Sequence, residues 1–374
     1  MRRDILEVDN TVSARTTLPV SLQDVESVRL LLTGESVVDW QRLSFRDLAD
    51  VDRFLATHLL DTSDAEDIER VRYVFNEAVS YLEEQLHLKF PAELRNPSDI
   101  RLVFLWASQW GGFRRTQILS CVVLKLMHII HHMEAADLRF RLPLAEEQIL
   151  ASAHRRILAQ VYEMQDAGVP ITAFYGSRKS RSSVITKLIA KREAVAATIF
   201  DKLRFRLVVR RYRDLVPTIA YLARELFPFN YVVPGQSHDN LLEASLVPNR
   251  LLDWLTPEDR AVALQRTEPG LGDVPVGLID GRTESGTPRN EFSGASYRAI
   301  NFIVNYPVRV PPSVEERFSF ELGRVVYVNV EFQVLDEATS KTNELGENAH
   351  ALYKARQHRR VAARLKRGAA ARNE

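Results

Sequence analysis

The chain has 374 residues, 45% hydrophobic and 26% charged, with 50 Lys and Arg set against 49 Asp and Glu. That length holds two domains, or one large domain with an extension, and the near-zero net charge excludes a polyanion binder over the whole surface. The single cysteine, Cys121, excludes an internal disulfide framework and fits a reducing compartment.

Residues 1–10 hold no apolar run behind Arg2 and Arg3, so no secretory signal is expected there. Residues 1–145 read as a helical N-terminal region. Ser63 and Glu66 make a capping-box pattern ahead of Ile68, Val71, Val74, Phe75, Val79, Leu82 and Leu86 at helical spacing, and Pro91 closes that helix. A second helix, 116–134, is apolar almost all round, as a buried central helix would be. Its most apolar part, 118–133, is broken by Lys125, His128, His131 and His132 and is too short and polar to span a bilayer, so no membrane is expected and the protein reads as cytoplasmic. Cys121 and the three histidines read as core or boundary residues of that helix. A third helix, 145–165, turns Ile149, Leu150, Ile157, Leu158 and Val161 to one side and stops at Gly168 and Pro170.

The texture changes after Pro170. Segments 200–210, 297–306 and 324–335 are β-branched and aromatic with period-two alternation, and read as strands. A helix is expected at 214–227, and an insertion rich in Pro, Gly, Asn and Ser at about 234–293. Helices first and a mixed region afterwards suggest α+β or α/β. Eight Lys or Arg from Lys354 to Arg372 form a basic C-terminal tail, 357–374, beyond a mixed domain spanning 146–356.

Four blocks carry residues suited to chemistry. In the first, Phe174 to Ser183, Gly176 permits a tight turn, and serines with Arg178, Lys179 and, further on, Lys187 suit phosphates at a helix N-terminus. In the second, Asp201 stands at the mouth of an apolar strand that also holds Arg206; it shares pleat parity with Leu203, Phe205 and Leu207, so it reaches an open site only from the strand's end. In the third, Tyr297, Asn301 and Asn305 share one face, with Ile300, Phe302 and Val304 on the other. In the fourth, Asn329, Glu331 and Gln333 oppose Val326, Val328, Val330, Phe332 and Val334, placing a carboxylate between two amides in mid-strand. The run from Asn343 through His350 to Lys354 reads as a helix leading into the tail. A solvated basic helix start and a water-facing strand side remain the alternatives for the first and third blocks.

In this order the blocks resemble the synthetase domain of the RelA/SpoT family, over about 180 residues from Tyr175 to Lys354. The family's patterns run Tyr-Gly-Arg-x-Lys with a later Ser and Lys, Asp-x-x-x-x-Arg, Gly-Tyr-x-Ser-x-His, Val-Glu-Ile-Gln-Ile-Arg-Thr and Glu-Leu-Gly-x-x-Ala-His-x-x-Tyr-Lys. The resemblance implies a nucleotidyltransferase-like mixed β-sheet flanked by helices, hence α+β, preceded here by the helical region. It implies pyrophosphate transfer from ATP to the 3′-hydroxyl of GDP or GTP. Arg178, Lys179, Ser183 and Lys187 then stand at the donor nucleotide, Asp201 and Glu331 at the catalytic, magnesium-binding acids, and Tyr297 and Asn301 at the acceptor. Arg206, Gln333 and His350 are further cleft candidates. The chain departs from the family at Ser177 for Arg, Ser296 for Gly, Asn301 for His and Leu335 for Arg, all at substrate-binding positions. Those departures leave two alternatives open: the same chemistry on an RNA 3′ end, with the basic tail as RNA contact, or a nucleotide-binding regulatory protein without catalysis. The family's separate hydrolase domain has no counterpart in this sequence.

Overall fold

Alternation of apolar and polar residues along the longer strands gives a six-stranded mixed sheet one largely greasy and one more polar face. The computed structural model describes residues 4–7, 20–34, 43–108, 114–190, 202–242, 255–265, 296–311, 322–345 and 350–370. The strands are β1 (Asp4–Glu7), β2 (Ile171–Arg178), β3 (Leu203–Val209), β4 (His238–Asp239), β5 (Ile300–Arg309) and β6 (Val325–Asp336), in the order β1-β2-β3-β6-β5-β4. Only β3 and β6 are parallel; the other neighbours run antiparallel. The three strands expected from alternation are therefore present, with ends shifted by a few residues.

The described helices in chain order are α1 (Leu22–Thr33), α2 (Leu48–Thr57), α3 (Ala65–Leu86), α4 (Ala92–Arg95), α5 (Leu102–Ser108), α6 (Arg114–Arg141), α7 (Glu146–Asp166), α8 (Arg181–Ala190), α9 (Leu215–Tyr221), α10 (Pro257–Gln265), α11 (Glu337–Glu344) and α12 (His350–Ala370). The fold is α+β, a mixed sheet flanked by helices and preceded by helices. Part of the 234–293 insertion is described: it supplies β4 and α10, and Leu255 bridges to Val20. Residues 243–254 and 266–293 of it lie outside the described residues.

On the greasy face, Phe174, Phe205, Phe332 and Phe302 line up across four strands with ring centroids 5.2, 5.9 and 5.7 Å apart in succession. Phe227 closes on Phe332 from the segment after α9, at 5.1 Å. These tilted and offset stacks are the arrangement that ring quadrupoles favour. Helix α7 packs over them with Ile149, Leu150, Ala153, Ile157, Val161 and Met164 buried. One hydrophobic cluster runs from Val20 to Val334, so the N-terminal helices and the sheet share a core.

Three local expectations are corrected. The capping residue of α3 is Asp64, whose side chain accepts from the Glu66 amide, rather than Ser63. Helix α6 is longer than expected, 28 residues, and is not buried all round: Val123, Leu124, Met127 and Leu138 face the core, while Ile118, Met133 and Phe140 are exposed. Among the described residues it alone has the length and hydropathy to cross a bilayer, a property that core helices share; here it packs on α3, α5 and β6. Third, Tyr175 to Arg178 continue a strand where a turn at Gly176 was expected. A Cβ at Gly176 would sit 2.8 Å from His154 Nε2 and 3.0 Å from Phe205 Cε1. The glycine lets α7 and β3 close over β2.

Between the N-terminal helices and the sheet lies a seam of histidines. Tyr231 stacks on Tyr327 of β6 at 4.3 Å, and the rings of His58, His128, His131 and His132 lie 4.5 to 6.3 Å from Tyr231. His131 Nδ1 and Tyr231 Oη are 3.2 Å apart, and the Asn230 amide donates to His128 Nδ1 at 3.2 Å. A cavity of about 60 Å³ beside them has room for about two waters, next to the otherwise unsatisfied Asn230 Oδ1. The Arg70–Glu134 ion pair, joining α3 to α6, flanks the seam. Burial pushes His58 down to about 4 and His128 down to about 3, and holds His131 and His132 below their ordinary value of 6.5. The histidines are thus core and boundary groups, as their helix suggests.

Two outcomes follow from these contacts. Gly176→Ala should destabilise the protein by about 1–3 kcal/mol in denaturant unfolding, because overpacking outweighs the ~0.5–1 kcal/mol that alanine gains over glycine in a strand. The buried imidazoles bind protons more readily in the unfolded chain, so their contribution to stability is complete above about pH 6.5 and is lost as pH falls through 4. His58→Phe should lower the slope of unfolding free energy against pH in that window by about 1.4 kcal/mol per pH unit; an unchanged slope would contradict the assignment.

Candidate functional site: the polar face of the sheet

Alternation that buries Leu203, Phe205 and Leu207 turns Arg204 and Arg206 to the other face, and alternation in β6 does the same for Asn329, Glu331 and Gln333. Register brings these residues into rows. Tyr175, Arg206, Gln333, Asn301 and His238 form one row across five strands; Ser177, Arg204, Glu331 and Ile303 form the next.

The first row is a connected hydrogen-bond network. Arg206 Nε donates to Gln333 Oε1 at 2.6 Å, and its Nη2 reaches Tyr297 Oη at 3.4 Å. Gln333 Nε2 donates both to Tyr297 Oη, at 2.7 Å, and to Asn301 Oδ1, at 2.9 Å. Gln333 is 1% exposed, so its amide must be satisfied inside the protein, and these bonds do that. In the second row, Arg204 Nη2 lies 3.5 Å from Glu331 Oε1, with the carboxylate side chain 15% exposed.

Tyr297 lies just before β5 and is held by two asparagines that sequence reasoning missed. Asn240 donates to the Tyr297 carbonyl and accepts from the Ala299 amide, both at 2.8 Å. Asn343, buried in α11, accepts from the Arg298 amide at 3.1 Å and donates to the Arg298 carbonyl at 2.6 Å. Arg204 was also missed; its pleat parity with Arg206 was the available signal. An isolated Asn carries no such signal, because it reads equally as a turn residue.

Of the candidates named from sequence, Arg206, Gln333, Tyr297 and Asn301 come together, and Glu331 stands one row away. Arg178 does not join them: it sits on the α7 side and pairs with Glu147. Lys179 precedes α8; its amide bonds to the Lys202 carbonyl at 2.9 Å, extending the β2–β3 ladder. That places Lys179 about two strand spacings, roughly 10 Å, from β6. Ser183 is capped by Ser180, whose Oγ receives the Ser183 amide at 3.3 Å and lies 2.9 Å from its hydroxyl. Lys187 lies on α8. Asp201 lies outside the described residues, as does the side chain of His350, the first residue of α12. Cys121, its thiol pushed up to about 11 by burial, is no nucleophile at neutral pH.

As a magnesium site, the face offers a hard oxygen donor in Glu331. Among the described residues no group of three or more metal-ligating side chains occurs.

No family model matches the chain, and no curated protein matches it. Among solved structures it is similar to small alarmone synthetase 1 of Bacillus subtilis, at 14% identity over 59% of this chain and 90% of that one, with a TM-score of 0.29. Small alarmone synthetase 2 of the same organism matches at 14% identity over 61% and 98%, with a TM-score of 0.30. A structure of synthetase 1 bound to its product pppGpp matches at 17% identity over 58% and 84%, again at 0.30. Similarity at this level carries no argument about chemistry, which rests on the residues themselves.

Glu331→Gln should change stability by less than about 1 kcal/mol, because a solvent-accessible ion pair of this kind contributes little. A loss of several kcal/mol in denaturant unfolding would make Glu331 a structural carboxylate.

Proposed function

We propose that the protein is an ATP-dependent pyrophosphotransferase of the RelA/SpoT type, acting on the 3′-hydroxyl of GDP or GTP with magnesium in the cytoplasm. The observation that supports this reading is convergence. Arg204, Arg206, Tyr297, Asn301, Glu331 and Gln333 come from three separate sequence blocks and meet on one polar face backed by a rigid aromatic core.

In the proposed reaction the acceptor 3′-oxygen attacks the β-phosphorus of ATP, the bond from that phosphorus to the α–β bridging oxygen breaks, and AMP leaves. Glu331 takes the hydroxyl proton as general base, held in place by Arg204. Lys179 and Lys187, and Asp201 with Glu331 as magnesium ligands, take the roles implied by the family's patterns. Magnesium, when bound, would offset charge on the transferring phosphates. Tyr297, with its backbone clamped by Asn240 and Asn343, presents a fixed ring to the acceptor base.

A second reading, transfer to an RNA 3′ end, draws on α12. That helix carries seven Lys and Arg and no acid, and Arg359, Arg360, Arg364 and Lys366 are exposed. It is no frayed tail, since it packs on α8, with Arg364 Nη1 donating to the Ile189 carbonyl at 2.8 Å. Purified protein incubated with β-labelled ATP and, separately, GDP, GTP and tRNA tests both readings. Label moving to GDP or GTP, and lost in Glu331→Gln, is the expected result. Label moving only to tRNA, with binding that weakens steeply with salt, would select the RNA acceptor. No transfer to any of the three would overturn both.

A further inference from the structure

Helix α6 is apolar on two sides, and the fold uses only one of them. Ser120, Val123, Leu124, Met127 and Leu138 are buried against the core. On an ideal helical wheel centred on Ile129, the residues Ile118, Val122, Met133, Ala136 and Phe140 all fall within about 40° of it, on the opposite side. Ile118 is 52% exposed, Met133 62% and Phe140 89%, and Ile129 is half-buried. This outward stripe is about 33 Å long at ~1.5 Å per residue. Only 28% of the helix's most apolar stretch is buried in the fold. A continuous exposed apolar stripe of that length marks a contact surface, unlike scattered single residues.

Charge decides what the stripe contacts. Cations bracket it: Arg115 at one end, Lys125 within it, and Arg139 with Arg141 at the other, and both Arg115 and Arg141 are exposed. The acids of the helix, Glu134 and Asp137, lie off the stripe, about 140° and 80° round the same wheel, and Glu134 is paired with Arg70 of α3. A second copy of this chain fits poorly. Antiparallel pairing about Ile129 would match Ile118 with Phe140, but the same symmetry sets Arg115 against Arg141 at both ends; parallel pairing sets Lys125 against itself. A bilayer with anionic headgroups supplies an apolar layer for the stripe and negative charge for its rim, with Lys125 extended toward the headgroups. We propose that α6 is a peripheral membrane anchor, its outward stripe lying flat at the headgroup boundary of an anionic bilayer, roughly 5–10 Å deep. The helix rests on the bilayer and does not cross it, because α3, α5 and β6 cover its inner side. The anchor is independent of the catalytic reading above.

Co-flotation of the full chain with vesicles of phosphatidylcholine, alone or mixed equally with phosphatidylglycerol, tests the anchor. Wild type should bind the mixed vesicles roughly 10-fold or more tightly than the neutral ones at low salt, and lose that preference as salt screens the headgroups. Met133→Ser/Phe140→Ser should weaken binding to the mixed vesicles by about 10-fold or more, because each side chain loses the transfer from water that drives insertion. Both residues are exposed, so thermal melts of this variant should match wild type. Lys125→Gln/Arg141→Gln should bind both kinds of vesicle alike. Undiminished binding by Met133→Ser/Phe140→Ser would assign the contact to another surface, such as the basic helix α12, and overturn the proposal. Wild type that does not float with mixed vesicles would overturn it as well. A dimer in sedimentation velocity that Phe140→Ser dissociates would then make a second copy the occupant of the stripe.

Discussion

Parallel pairing of β3 with β6 is the constraint on which the rest of the structure depends. Its register sets Arg204 beside Glu331 and Arg206 beside Gln333, with Phe205 beside Phe332 on the opposite face. A slip of one residue would bring arginines against phenylalanines and dissolve both the polar rows and the aromatic stack, since side chains alternate with a period of two. The stack and the rows enforce the same register from opposite sides. Because the strands are parallel, the chain must cross over between them, and the crossover from Val209 to Val325 contains α9, β4, α10 and β5. Tyr297 and Asn301 lie within that crossover and are delivered to the site by it.

The N-terminal helices have a definite relation to this arrangement. Tyr327, four residues before Glu331 on β6, is half-buried in the histidine seam against α6. Asp24 of α1 reaches across to Arg224, just after α9, at 3.2 Å. These contacts, with the shared hydrophobic cluster, make the helical region a supporting layer for the sheet. Tyr327 shares the pleat parity of Glu331, so the layer also reaches that side of β6 at its N-terminal end.

Legibility in the sequence followed local chemistry. Strands β3, β5 and β6 could be read because each separates a greasy from a polar face, and the same alternation set Asn301 on the polar side of β5 and Glu331 with Gln333 on that of β6. Strand β2 was missed because Gly176 looks like turn punctuation, whereas its reason is tertiary: His154 and Phe205 leave no space for a side chain. Strands β1 and β4, of four and two residues, are too short to show a period. The roles of Asn240 and Asn343 arise from contacts spanning 57 and 45 residues, which no local pattern encodes. Arg178 faces α7 because it shares the pleat parity of Phe174.

The clamp on Tyr297 has a consequence for how the protein comes into being on the ribosome. Synthesis runs from the N-terminus, and early segments fold as they emerge. The helical layer, β2 and β3 can assemble first, but the backbone at Tyr297 is not pinned from both sides until Asn343 has left the exit tunnel. Gln333, which bonds to both Tyr297 and Asn301, also comes late. A nascent chain therefore lacks both the β3–β6 pair and the clamp until most of it has emerged, and translation products that stop before β6 would carry neither.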